Sequence, residues 1–110
     1  IYTNPEVAFV GETKASAEQK GMRVQEVKAP MMYSGRYVAE TMNGDGFCKL
    51  VYDLDRNCLV GVHMIGPYAS EMIYGAAMML ETQLQASQLK KIVFPHPTVC
   101  EVIREALFKL

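Results

Sequence analysis

The sequence predicts an α+β domain with a mainly antiparallel sheet flanked by helices. The predicted elements run in the order strand, helix, several strands and then helices. Two strand-like runs, 47–52 and 58–65, are joined by a short polar connection, as in a hairpin. Near the C-terminus, apolar residues recur at helical spacing. At 110 residues, the chain 1–110 has the length of a single domain.

The N-terminal third is predicted to form a strand, a short helix and an extended segment. Residues 7–10 are a short apolar run ending at Gly11, which is typical of a buried strand. Residues 13–20 follow as a short helix that stops at Gly21. Residues 22–33 are extended in character, but the apolar phase slips between Val24 and Val27. This slip predicts a bulge or bend in the second strand.

The middle of the chain combines the hairpin with a long helix. Residues 34–42 are ambiguous, and residues 43–46, Asn-Gly-Asp-Gly, have the composition of a turn. After the hairpin, residues 69–82 are predicted to form a helix that is apolar nearly all round. Such a helix is usually covered on two sides, and in a domain this small another chain could provide the second cover.

Two further helices complete the predicted fold. Residues 84–92 form a short helix, since Leu89 and Ile92 lie three residues apart. The last helix, 99–110, has the clearest pattern, and Phe108 lies on its polar side, where it would suit a subunit contact. Its predicted buried stripe consists of Val99, Val102, Ile103, Ala106, Leu107 and Leu110.

Charge and cysteine usage exclude several classes of function. The net charge of −1 leaves no basic surplus for nucleic acid or an anionic membrane, and no apolar run approaches the roughly 20 residues of a membrane helix. The chain has an odd number of cysteines and no CxxC motif, which favours reduced thiols in a cytosolic protein; they are Cys48, Cys58 and Cys100. With only two histidines, no metal site is predicted. The chain opens at Ile1 without a starting methionine, which we interpret as a segment of a longer protein.

The run Pro95-His96-Pro97-Thr98-Val99-Cys100-Glu101 carries the clearest chemical signal. It places a histidine just before a predicted helix and a carboxylate in the first turn of that helix. A histidine held by a carboxylate is a general base that works near neutral pH. The flanking prolines restrict the backbone around His96. We therefore predict His96 and Glu101 as a catalytic pair.

Other interpretations of the same run remain open. Thr98 and Glu101 match the capping box T-x-x-E, so the carboxylate could serve only the Thr98 backbone. Cys100, near a helix N-terminus and four residues after His96, could form a nucleophilic pair with it. His63 alternates with strand residues and is interpreted as a partnered sheet histidine. Gly44-Asp45-Gly46 is a turn, because no dinucleotide-binding GxGxxG motif follows a strand here.

Four fragments, in family order, resemble the C-terminal interface domain of dihydrolipoamide dehydrogenases. They are YTNPEVA at 2–8 followed by Val10-Gly11, GFCKL at 46–50, GVHMIGP at 61–67 and HPTVCE at 96–101. These enzymes are FAD-dependent pyridine nucleotide–disulfide oxidoreductases. Glutathione reductases share the HPT-x-x-E element, but the first and third fragments are more similar to the lipoamide branch.

The resemblance implies a homodimerisation domain that completes the active site of its partner subunit. His96 would match the catalytic base, Glu101 the acid that orients it, and the His96 backbone would approach the FAD of the partner subunit. The His96-Pro97 bond would be cis. The base would take a proton from a dihydrolipoamide thiol, the thiolate would attack a protein disulfide, and electrons would pass through FAD to NAD. A lipoyl-carrying protein of a 2-oxoacid dehydrogenase complex would be the partner, in the cytoplasm or, in a eukaryote, the mitochondrial matrix.

The segment departs from a complete enzyme of that family. It lacks the redox cysteine pair, the FAD fingerprint and the NAD domain, so on its own it is expected to bind no cofactor and to be inactive. Two alternatives remain: the interface domain of another flavin disulfide reductase, such as a glutathione reductase, and a non-catalytic dimerisation module. In the second alternative, His96 and Glu101 are only the start of a helix.

Overall fold

The computed structural model describes residues 1–110 and confirms an α+β fold with one antiparallel sheet. Its four strands are β1 (Val7–Gly11), β2 (Val24–Pro30), β3 (Phe47–Asp53) and β4 (Cys58–Ile65). They lie in the order β1-β4-β3-β2, so the predicted hairpin of β3 and β4 forms the centre of the sheet. The open edges are β1 and β2.

Five helices and one 3₁₀ turn flank the sheet. They are α1 (Lys14–Gln19), the 3₁₀ turn (Met31–Tyr33), α2 (Gly35–Glu40), α3 (Ala69–Thr82), α4 (Ala86–Leu89) and α5 (Glu101–Leu107). The bounds of α3 are those that the sequence predicts. The ambiguous segment 34–42 contains α2, which begins there because the Ser34 hydroxyl accepts a hydrogen bond from the Tyr37 N–H. No helix in residues 1–110 has the length and apolar character that a membrane span requires.

The main core lies between one face of the sheet and the helices α3 and α5. Helix α3 packs against β1 and β4, and α5 packs against β2 and β3. Two apolar rows cross the sheet beneath them: one contains Val27, Leu50, Val62 and Val10, and the other contains Ala29, Cys48, Met64 and Ala8. The helices supply the matching buried side chains Met72, Ala76, Met79, Val102, Ile103, Ala106 and Leu107. Burial of these apolar faces drives the packing of the two helices onto the sheet.

The predicted bulge in the second strand is wrong. Strand β2 pairs with β3 without interruption, from Val24 opposite Asp53 to Pro30 opposite Phe47. Residues three apart in a strand face opposite sides of the sheet. Val27 packs into the main core, whereas Val24 packs into a second cluster on the other face, beneath α1. The apolar phase therefore slips because both faces are covered, and the register irregularity lies instead between β3 and β4, at Val51 and Tyr52.

The two C-terminal helices are shorter than the sequence predicts. Only Ala86–Leu89 of the predicted helix 84–92 is helical, because Gln85 forms a bridge with Cys58 and holds the preceding segment extended. The last helix is regular only over Glu101–Leu107. Its predicted start is a tight turn, in which the N–H of Val102 donates to the carbonyl of Val99 at 3.1 Å.

Candidate active site

The loop between α4 and α5 presents His96 between two prolines. The His96-Pro97 peptide bond is cis, as the resemblance implies. The hydroxyl of Thr98 donates a 2.6 Å hydrogen bond back to the carbonyl of Pro95, which closes the loop on itself. This backward bond uses the hydroxyl that a complete capping box would direct into the helix. Consequently, α5 begins two residues later than the box predicts.

The imidazole of His96 pairs with the carboxylate of Glu101. Its Nδ1 lies 2.9 Å from Oε1 and 3.0 Å from Oε2 of Glu101. An ionised carboxylate only accepts hydrogen bonds, so Nδ1 carries the proton and Nε2 is the basic nitrogen of the neutral ring. The histidine side chain is 77% exposed, whereas that of Glu101 is 19% exposed. The pair thus presents a solvent-accessible base on a sheltered carboxylate.

The same carboxylate also serves the helix start. The backbone N–H of Thr98 donates to Glu101 Oε2 at 3.0 Å. This bond, followed by the bond from His96, lowers the pKa of Glu101 below its ordinary value. The capping and pairing interpretations of Glu101 are therefore both satisfied by one side chain. A carboxylate that stays ionised can stabilise the imidazolium that forms when His96 accepts a proton.

Cys100 does not pair with His96. Its sulfur lies 3.0 Å from the hydroxyl of Thr98, and the side chain packs partly against the main core. His96 is instead bonded to Glu101. Of the other cysteines, Cys58 is buried, and burial raises the pKa of the Cys48 thiol to about 12. The arrangement supplies a base rather than an activated thiol.

His63 has the partnered role that the sequence predicts. Its Nε2 lies 2.9 Å from the carbonyl oxygen of Glu12, and its ring stacks on Phe9 with centroids 6.0 Å apart. It lies on the sheet, on strand β4. The ring of His63 therefore has its partners within the domain, whereas the ring of His96 is mostly exposed.

Helix α2 also holds the loop, through contacts that no sequence pattern indicated. The hydroxyl of Ser34 donates to the carbonyl of Thr98 at 2.9 Å, and Arg36 Nη1 lies 3.5 Å from the carbonyl of Pro97. Arg36 is itself held by Glu40 at 2.8 Å. Ser34 before Gly35 is a helix-start signal, but nothing in the sequence links it to a residue 64 positions away.

The cavities of the domain do not enclose the pair. A cavity of about 370 Å³ lies beside the start of β3 and the end of β4, and Asn4, Pro5, Tyr37 and Gly44 line part of it. A smaller cavity of about 210 Å³ borders the loop and is lined by Arg36, Tyr68, Met72, Thr98, Val99 and Cys100. Neither is lined by His96 or Glu101. Within this domain, the base faces outward from the fold.

A known domain family accounts for this arrangement. Residues 1–107 match the family described as the pyridine nucleotide-disulphide oxidoreductase dimerisation domain. The chain belongs to this family. The match covers the sheet, the histidine loop and α5, so it confirms the resemblance on which the sequence interpretation rests.

Individual relatives of this dimerisation domain are dihydrolipoyl dehydrogenases. The mitochondrial enzyme of Caenorhabditis elegans is 38% identical over 107 residues, which is 96% of this chain and 21% of the relative. The enzyme of Bacillus subtilis is 38% identical over 106 residues, or 96% of this chain and 22% of the relative. The chain thus spans about a fifth of the length of the curated relatives it matches.

A solved structure shows the same fold. The HOCl-induced flavoprotein disulfide reductase RclA from Escherichia coli, in its Cu(II) complex, superposes with a TM-score of 0.90 at 23% identity. The superposition covers 99% of this chain and 24% of that one. This fold is therefore shared with a flavoprotein disulfide reductase whose sequence has diverged widely from that of this chain.

Proposed function

We propose that this domain dimerises a dihydrolipoamide dehydrogenase and supplies His96 and Glu101 to the active site of the partner subunit. The observation that carries the proposal is the pair itself. The imidazole is fixed by Glu101 at 2.9 and 3.0 Å yet is 77% exposed. A base that is oriented by its own domain and faces out of it is suited to a substrate bound on another surface.

The chemistry of the pair matches the oxidation of a dithiol. A free thiol has a pKa near 8.5 and is mostly protonated at neutral pH. Nε2 of His96 would accept the thiol proton as the resulting thiolate attacks a protein disulfide, and the ionised Glu101 would stabilise the imidazolium. FAD, when bound in the full-length enzyme, would supply the route by which the electron pair reaches NAD.

The loop also fits the implied contact with FAD. The carbonyls of Pro95, Pro97 and Thr98 accept hydrogen bonds from side chains of the domain. The backbone N–H and C=O of His96 take part in no hydrogen bond within residues 1–110. They are therefore available to the flavin of the partner subunit, as the family resemblance implies.

The partner subunit would meet the exposed side of α3. Tyr74 is 73% exposed and Met78 is 51% exposed, although both lie on a helix whose other side is buried in the core. Exposed apolar side chains at i and i+4 form one continuous strip on a helix. We propose a homodimer through this strip. A lipoyl-carrying protein would deliver the substrate, in the cytoplasm or, in a eukaryote, in the mitochondrial matrix.

Replacement of His96 tests the proposal. In the full-length protein, His96→Gln should reduce dihydrolipoamide-dependent NAD reduction by about two orders of magnitude or more, the scale of a general base. His63→Gln is the matched control, because it changes the histidine that already has a partner within the fold. Wild-type turnover of His96→Gln would indicate a dimerisation module without a catalytic role. Activity with another disulfide in place of lipoamide would indicate a different reductase.

A further inference from the structure

We infer that Ser34 is a positioning residue for His96, acting through the backbone of Thr98. The inference rests on the proposed catalytic role of His96 and Glu101. Ser34 lies at the start of α2, far from the histidine in sequence, and the residue is 1% exposed. A buried hydroxyl that joins two segments fixes their relative position, because breaking its bonds leaves polar groups without partners.

The hydroxyl of Ser34 makes two hydrogen bonds. It accepts from the N–H of Tyr37 at 3.2 Å, which caps α2, and it donates to the carbonyl of Thr98 at 2.9 Å. The first bond serves the helix to which Ser34 belongs. The second reaches the loop that carries the catalytic histidine. One side chain therefore couples the position of α2 to that loop.

Thr98 relays this contact to the base. Its peptide groups are held on both sides: the carbonyl accepts from Ser34, and the N–H donates to Glu101 at 3.0 Å. Glu101 in turn holds Nδ1 of His96 at 2.9 Å. The sequence of contacts is thus Ser34, Thr98, Glu101 and His96, with each step a hydrogen bond of 2.9–3.0 Å. A shift of Thr98 would move the carboxylate that sets the direction of the imidazole.

Two substitutions separate positioning from helix capping. Glycine is tolerated at a helix N-cap almost as well as serine, whereas alanine is not. Ser34→Gly therefore removes the bond to Thr98 with little loss of capping, and Ser34→Ala removes both. Positioning predicts that both variants of the full-length enzyme lose about 10- to 100-fold in the rate of flavin reduction by dihydrolipoamide. Reduction by NADH, which does not need this base, should stay at the wild-type rate.

Two further variants act as controls. Thr13→Ala removes the cap of α1, a helix of the same length as α2 on the opposite face of the sheet, and should leave both rates unchanged. Ser34→Thr keeps the hydroxyl and should retain the wild-type rate with dihydrolipoamide. A Ser34→Gly enzyme with the wild-type rate, or a Ser34→Thr enzyme as slow as the glycine variant, would overturn the inference.

A double-mutant cycle with Glu101→Gln tests the route of the effect. If Ser34 acts through the carboxylate, Ser34→Gly should slow flavin reduction by dihydrolipoamide much less in the Glu101→Gln background than in the wild type. If each substitution slows the reaction by the same factor in the presence and absence of the other, this route is contradicted.

The His96→Gln variant distinguishes a failure of this inference from a failure of the proposed function. If His96→Gln is inactive and Ser34→Gly is fully active, only this inference is contradicted. If His96→Gln is active, the proposed function is contradicted.

Discussion

Glu101 satisfies two neighbours with one carboxylate. It accepts the Thr98 N–H at 3.0 Å and holds Nδ1 of His96 at 2.9 Å. A helix-start carboxylate is already fixed by the backbone, so the additional bond to the imidazole needs little further ordering. The geometry of the proposed catalytic pair is thereby built on an ordinary helix start.

The lowered pKa of Glu101 makes its contribution to stability depend on pH. Because the folded pKa lies below the ordinary 4.5, the contribution is fully present above pH 4.5 and is lost as the pH falls through the folded pKa. Glu101→Gln removes the charge. We expect the variant to have a lower free energy of unfolding than the wild type near pH 7, with the difference shrinking under acid conditions. Urea denaturation across this pH range measures it, and a difference independent of pH would contradict the assignment.

Sequence spacing predicted the pair but not its support. His96 and Glu101 could be paired from the sequence because they lie five residues apart across a helix start, where local geometry decides contact. Ser34 could not be found in this way. Its bond to Thr98 depends on how α2 packs beside the loop, and residues 64 positions apart leave no periodic signal.

The start of helix α3 is capped by a residue from a distant segment. Tyr68, which precedes the helix, has a left-handed conformation and provides no side-chain cap. Instead, the carboxylate of Glu6 accepts the N–H of Tyr68 at 3.2 Å and the N–H of Ser70 at 3.1 Å. An anionic acceptor at a helix N-terminus also interacts favourably with the helix dipole. Glu6 thus ties the segment before β1 to the longest helix of the domain.

We predict that Glu6→Ala destabilises the domain in a pH-dependent way. Hydrogen bonds from Ser70 lower the pKa of Glu6, so its contribution is present above the ordinary value of 4.5 and is lost at lower pH. The variant should melt a few degrees below the wild type near neutral pH and converge with it in acid. Glu18→Ala, which removes an exposed carboxylate 3.9 Å from Lys14, is the control and should change little. Equal melting temperatures of Glu6→Ala and wild type near neutral pH would exclude this cap.

The elements were predicted well where one local signal dominates. Helix α3 has its predicted bounds, and the hairpin of β3 and β4 is present. The errors occur where another contact overrides the expected pattern. Because both faces of β2 are buried, its apolar pattern resembled that of a bulged strand. Because the Thr98 hydroxyl donates to the Pro95 carbonyl, α5 begins later in the sequence than predicted. The first depends on what covers each face of the strand, and the second is a local bond that competes with the capping box for the same hydroxyl.

At the scale of the whole molecule, the strip of Tyr74 and Met78 on α3 is the proposed dimer surface. A charge placed there would have to be desolvated on association, which is costly. Tyr74→Glu and Met78→Glu should therefore shift the full-length protein from dimer toward monomer in light scattering. The activity should fall with the dimer fraction, because each base would serve the partner subunit. Ala15→Glu, on exposed α1 across the sheet, is the matched control.

The sequence indicated a dimer but did not locate its surface. A helix that is apolar nearly all round indicates a second cover, and the structure identifies the uncovered side as that of Tyr74 and Met78. The family description names dimerisation as the role of the domain. Periodicity alone could not separate a partner subunit from another part of the same chain, because both bury apolar surface in the same way.

The role of His96 as the base can be tested by comparing the two half-reactions of the full-length His96→Gln protein. If His96 is the base, flavin reduction by dihydrolipoamide, followed by rapid mixing and absorbance, should slow by about two orders of magnitude or more. Reduction of the same flavin by NADH should proceed at the wild-type rate, since it does not require the thiol proton to be removed. Equal slowing of both half-reactions would show a structural defect, and no slowing of the dihydrolipoamide step would contradict the role of His96 as the base.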